Sequence, residues 1–175
     1  MTNTAVADRE TSIWTQKDFE TSNQFSTYIL RLSKAEDVWN GLDSTRRWAV
    51  RKAQKNGVTL RTSESKEDIK TFFEINCENK KTLGIPGHPE AFFLNLFDEL
   101  RGHCTLYLAE YQQKVVAGII TLQFGKIVFY GYAASVEAYK TYQPNVFLIW
   151  KAIEDACNNG FEFFDFMKFY FIIFT

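Results

Sequence analysis

The chain has 175 residues, 46% hydrophobic and 23% charged, with 20 basic side chains against 21 acidic ones. That length and balance support one domain with a real core and exclude a disordered chain. A net charge of −1 excludes a global field attracting nucleic acid or an anionic membrane, so any electrostatic partner must meet a local patch.

Residues 1–26 are rich in Thr, Ser, Asn and Asp, lack the apolar stretch of a secretory signal, and are expected as a loose lead-in. No segment holds the ~20 consecutive apolar residues that span a bilayer. Cys77, Cys104 and Cys157 are an odd number without metal-ligand spacing, as expected of reduced thiols in a cytoplasmic protein.

Residues 27–32 form a short β-rich run and are expected as a strand. Ser33 and Glu36 fit a capping box, and Trp39, Leu42, Ala49 and Ala53 recur at helical spacing, which predicts one helix ended by Gly57. A strand over 58–61 follows. Ser65 with Asp68 then predicts a second capped helix carrying Ile69, Phe72, Phe73 and Leu83, broken by Gly84-Ile85-Pro86-Gly87. A third helix starts with Pro89 in its first turn, turns Phe92, Phe93, Leu96, Phe97 and Leu100 inward, and closes at Gly102.

The period then changes. Runs at 104–111, 115–124 and 127–133 are β-rich and separated by Gln112-Gln113 and Gly125-Lys126, which predicts an antiparallel meander. A polar loop over 135–143 leads to a helix capped by Asn145, with Val146, Ile149, Trp150 and Ile153 inward. Asn159-Gly160 ends it, and residues 161–166 return as a strand, in a right-handed parallel crossover. The expected organisation is an extension over 1–33 with one strand, a domain over 34–166 and an apolar tail over 167–175. The fold class is α/β, a mixed sheet with an antiparallel meander flanked by helices.

Several segments carry a family resemblance in order and approximate spacing. They are Arg46-Arg47-Trp48-Ala49-Val50-Arg51-Lys52-Ala53-Gln54-Lys55-Asn56-Gly57-Val58, Lys81-Thr82-Leu83-Gly84-Ile85-Pro86, Ala117-Gly118, Pro144-Asn145, Trp150-Lys151-Ala152-Ile153 and Gly160-Phe161-Glu162-Phe163-Phe164-Asp165-Phe166. Together, over roughly residues 28–166, they resemble the C-terminal GNAT-like domain of Fem-type (FemAB-like) peptidoglycan bridge aminoacyltransferases. The resemblance implies the GNAT acyltransferase fold and transfer of an acyl or aminoacyl group to an amine. In the bridge-forming members the donor is aminoacyl-tRNA and the acceptor a muropeptide precursor; related proteins belong to exopolysaccharide clusters. Relatives continue after the strand with glycine, a basic residue and further strands. Here Met167 and the run Lys168 to Thr175 follow, which reads as a frameshift or early stop that leaves the fold without its last strands. That tail is expected to pack on an open sheet edge of this domain or of a second copy, giving a homo-oligomer.

Four side chains form the candidate binding patch. At ~100° per residue, Arg47, Arg51 and Lys55 stack as one stripe opposite the apolar face. The stripe could hold a phosphate chain of tRNA or of a nucleotide-linked precursor, or be a solvated face with Asp43 pairing Arg46 or Arg47. Arg46 projects near the apolar face, where it must pair internally or bind an anion. The candidates for acid–base work are Glu137, Tyr139, Asp165 and Lys168, each also readable as a surface polar group. An acetyl-CoA enzyme of this fold cradles pyrophosphate on a glycine-rich turn, but residues 134–146 contain no glycine. That weighs against acyl-CoA and for an aminoacyl-tRNA donor, or for no donor at all. His88 and His103 are expected as caps or surface residues, and Cys77 and Cys157 as core. Three functions stay open: a transferase acting on an amine of a peptidoglycan or polysaccharide precursor, an inactive domain that binds or oligomerises, and an acetyl-CoA N-acetyltransferase.

Overall fold

The computed structural model describes residues 27–167. Strand β1 is Ile29–Arg31, inside the expected 27–32 run. The single helix predicted next is two helices, α1 (Ala35–Gly41) and α2 (Ser44–Lys55). The break has a local cause: Asp43 is extended and its carboxylate accepts the backbone N–H of Arg46 at 2.8 Å, so it starts a helix of its own. The capping box expected at Ser33 does not form, since α1 begins after Lys34 with no side-chain cap.

Strand β2 (Thr59–Ser63) leads into α3 (Lys66–Leu83), where Ser65 accepts the Asp68 N–H as predicted. Gly84, at φ 66°, ends α3 in the left-handed region that favours glycine. In α4 (Glu90–Glu99), Pro89 is the cap rather than the first helical residue. The meander is β3 (Cys104–Tyr111), β4 (Lys114–Phe124) and β5 (Ile127–Ser135). Helix α5 (Pro144–Asn158) and strand β6 (Phe163–Asp165) follow. The expected Asn145 cap does not form, since the helix starts two residues earlier, after Gln143. Gln143 sits left-handed at φ 61°, Pro144 takes the first helical position, and Asn145 points its amide at Ser135 Oγ instead.

The sheet runs β1-β6-β5-β4-β3-β2 and is antiparallel except for β5 beside β6, which is the expected parallel crossover. The outer edge of β6 is closed by β1, with Ile29 opposite Asp165, while the tail expected on an open sheet edge lies outside the described residues from Lys168 on. Side chains alternate across the sheet. On one face Tyr107, Ala109, Val128 and Phe164 pack under α2 and α5. On the other, Leu106, Leu108 and Ile120 pack with Phe72 of α3 and Phe93 of α4. A sheet buried on both faces explains the near-continuous apolar runs in β3 and β4. Edge strand β2 is tied down by Arg61, whose guanidinium donates to both Asp68 oxygens and, at 2.7 Å, to Glu110 Oε1. Among the described residues no helix is long and apolar enough to cross a membrane.

Candidate functional site

Strands β5 and β6 part company early. The last paired residues are Phe129 and Asp165, so among the described residues no strand pairs with residues 130–135 of β5 on that side. The backbone of Ser135 is met there by a side chain: Asn79 of α3 donates to its carbonyl at 2.7 Å and accepts its N–H at 2.8 Å. The next N–H, of Val136, turns the other way to Val116 of β4. By the alternation of a strand, the N–H and C=O of Ala133 face the open side as those of Ser135 do. Asn145 donates to the Ser135 hydroxyl at 3.0 Å, while its own Oδ1 is buried without a partner among the described residues. These amides pin the end of β5, where the chain turns into the 3-10 helix Glu137–Tyr142.

That 3-10 helix carries two of the predicted acid–base residues. Tyr139 lies 5.8 Å from Tyr111 and 6.2 Å from Tyr142, ring centre to ring centre, and Tyr142 stacks on Tyr111 at 4.7 Å. Glu137 is exposed and paired with Lys140 one turn on. Asp165 stands elsewhere. Its carboxylate accepts the Thr27 hydroxyl and, at 2.7 Å, the Met167 N–H. Because Phe164 faces α5, alternation puts Asp165 on the α3/α4 face, across the sheet from the tyrosines. Lys168 lies outside the described residues.

Helix α2 lies against α5 and the 3-10 helix, so the basic patch and Tyr139 occupy neighbouring elements. Its cations differ in what holds them. Arg46 is exposed, not set into the apolar face, and pairs with Asp43, the pairing that the sequence also allowed. Arg46 lies in the first turn of α2, next to its cap Asp43, which holds the guanidinium at the exposed helix end. Arg47 is half-buried and donates to the carbonyls of Asn40, at 3.0 Å, and Leu42, so it closes the end of α1 rather than joining an outward stripe. The Arg51 guanidinium sits 5.6 Å over the Trp39 ring, which leaves its N–H groups available. Lys55 is exposed at the last position of α2. Between them, Lys52 lies 4.8 Å over the ring of Trp48, an indole 55% exposed.

The approach to α5 offers little to a phosphate. Pro144 has no N–H, and the Gln143 N–H before it is taken by the Lys140 carbonyl at 3.0 Å. Asn79 and Ser135 carry no role in the sequence reading, and His88 is expected there as a cap or surface residue, because their contacts depend on which strand end they meet.

A family model described as an acetyltransferase (GNAT) domain matches residues 43–170. Among solved structures, FemX superposes with a TM-score of 0.74 at 18% identity, over 80% of this chain and 52% of FemX. A conserved protein of unknown function from Bacteroides thetaiotaomicron gives 0.62 at 10% identity, over 81% of this chain and 49% of that one. L-PGS from Bacillus licheniformis gives 0.55 at 10%, over 81% and 46%. At such identities the likeness is one of fold, and the chain spans about half the length of each structure. No curated protein matches it.

Proposed function

The chain belongs to the GNAT acetyltransferase-domain family, and from that premise we propose that it is a cytoplasmic transferase module carrying an aminoacyl group from tRNA to an amine of a peptidoglycan or polysaccharide precursor. The observation that carries this reading is the pairing of a depleted phosphate cradle with a basic helix. The start of α5 lacks glycine, lacks the Pro144 N–H and has one amide already bonded. Beside it, α2 carries five cations and no acidic residue in twelve positions. An anionic substrate is therefore met by side chains of α2, and a CoA pyrophosphate has no ready seat.

In this reading Arg51 and Lys55 hold phosphate, Arg46 joins them by releasing an exposed pair that is worth little, and Arg47 keeps the patch in shape through α1. The amine attacks the donor's ester carbonyl beside the open edge of β5, and the Ala133 N–H supports the oxyanion. Tyr139 and Glu137 line the rim on the 3-10 helix, and Asp165 marks the point where β6 turns away. The domain responsible is residues 34–166 with the strand before it. The likeness of fold to FemX supports the choice of an aminoacyl donor.

The test is transfer of label from radiolabelled aminoacyl-tRNA to a nucleotide-linked muropeptide by the full chain, with acetyl-CoA run in parallel. The expected result is transfer to the muropeptide, at least tenfold weaker in Arg51→Glu/Lys55→Glu and less steeply salt-dependent. Acetyl transfer alone would make the chain an N-acetyltransferase. Saturable binding without transfer from any donor would make it a binding module.

A further inference from the structure

Between α3 and α4, residues 84–89 carry an imidazole that the mechanism above does not use. The loop is confined: Gly84 ends α3 in the left-handed region, Pro86 and Pro89 restrict the backbone, and a Cβ on Gly87 would touch Lys80 Cγ at 3.4 Å. The ring of His88 is held on three sides. It stacks on Phe92 at 4.2 Å with planes 18° apart, and meets Tyr132 edge-on at 5.7 Å and Phe93 at 6.2 Å. Tyr132 belongs to the 130–135 stretch of β5 that β6 leaves unpaired. His88 thus stands against the strand whose open edge receives the reacting groups.

The ring is fixed, yet no hydrogen bond or ion pair engages its nitrogens among the described residues, and the residue is exposed. A structural histidine normally spends its N–H on a carbonyl or carboxylate. One that is stacked on an aromatic ring, bordered edge-on by two more and free at its nitrogens is arranged for proton exchange with a bound molecule. The carboxylates on hand are less suited. Asp165 accepts from Thr27 and Met167, and Glu137 is paired with Lys140.

We propose that His88, seated on Phe92 and Tyr132 beside the open edge of β5, is the acid–base residue of the amine transfer; this rests on the transferase reading above. The neutral amine forms the C–N bond to the donor's carbonyl carbon, giving a zwitterionic tetrahedral adduct. A ring nitrogen of His88 takes the proton from the adduct's nitrogen. The C–O bond to the donor ribose then breaks, and His88 returns that proton to the departing oxygen. The products are an amide and a free hydroxyl, and nothing is oxidised or reduced. Phe92 is a positioning residue that holds the ring.

The experiment uses the full chain with aminoacyl-tRNA and the nucleotide-linked muropeptide. His88→Ala and His88→Gln are expected to lower kcat by ~100- to 10,000-fold, with KM and the thermal midpoint unchanged. Added imidazole should restore the His88→Ala rate in proportion to its concentration while leaving the intact chain unaffected, which a merely structural role would not produce. Phe92→Ala should lower kcat less, without imidazole rescue. His88 variants retaining kcat within tenfold, or losing activity through KM alone, would overturn the assignment and leave the transferase reading intact. An intact chain that transfers to no amine would overturn both.

Discussion

Gly118 offers a stringent test of the packing, because an alanine there has nowhere to put its methyl group. A Cβ built on Gly118 would lie 2.7 Å from Phe72 Cδ2 and 3.2 Å from Leu108 Cδ2. Neither neighbour can retreat easily. Both are fully buried, and Phe72 is locked edge-on against Phe93 with centroids 5.4 Å apart. Overpacking of this kind costs about 1–3 kcal/mol. For a domain of this size each kcal/mol moves the melting midpoint by ~2–4 °C, so Gly118→Ala should melt about 2–12 °C lower. Urea denaturation would give the free energy directly, and a cycle with Phe72→Ala isolates the cause. Leucine would keep carbons at the δ positions and only let them shift, whereas Phe72→Ala removes the carbon that the methyl would strike, so alanine at 118 should cost at least ~1 kcal/mol less in the Phe72→Ala background. A Gly118→Ala chain as stable as the parent, or a cycle with no coupling, would refute the contact and with it the seating of α3 on the sheet.

The ion network under α3 predicts a pH dependence. Hydrogen bonding from Arg61 outweighs the effect of burial and holds the Asp68 carboxyl well below the usual carboxylate range. A carboxyl lowered on folding adds stability that is fully present above its unfolded value of ~3.9 and fades as pH falls toward the folded one. Asp68→Asn should therefore cost about 1.5–3 kcal/mol near neutrality, with the gap to the parent shrinking below pH ~4 in urea titrations; a gap that does not change with pH would count against the network. Asn79→Ala leaves a buried N–H and C=O of Ser135 without partners, and should cost about 1–3 kcal/mol while speeding amide exchange at residues 135–136. Unchanged exchange there would mean that α3 does not clamp the end of β5.

Local signals carried much of the fold. The Ser65 side-chain cap on the Asp68 N–H, the Gly84 stop and the two-residue turns between the meander strands each act within four residues, so short-range sterics and hydrogen bonding suffice to specify them. The meander, the crossover from β5 through α5 to β6 and the family resemblance were therefore legible in residue order. The start of α2 was legible in principle as well, since Asp43 three residues before Arg46 is a cap signal, but the apolar spacing of Trp39, Leu42 and Ala49 ran across the break and masked it.

What residue order could not provide was the meeting of distant pieces. That β1 closes the edge of β6 depends on partners 136 positions apart at Ile29 and Asp165, and no periodicity encodes such a pairing. Arg47 looked like one more cation on a stripe until the end of α1 folded back onto it. Asp165 and Tyr139, grouped in the sequence as acid–base candidates, fall on opposite faces of the sheet because side chains alternate along β6. His88, an ordinary loop residue in the sequence, gains its edge-on contact with Tyr132 only when β5 comes beside it. Short-range chemistry chose the elements; long-range burial decided which side chains share a space, since burial depends on contacts that form only when the sheet closes.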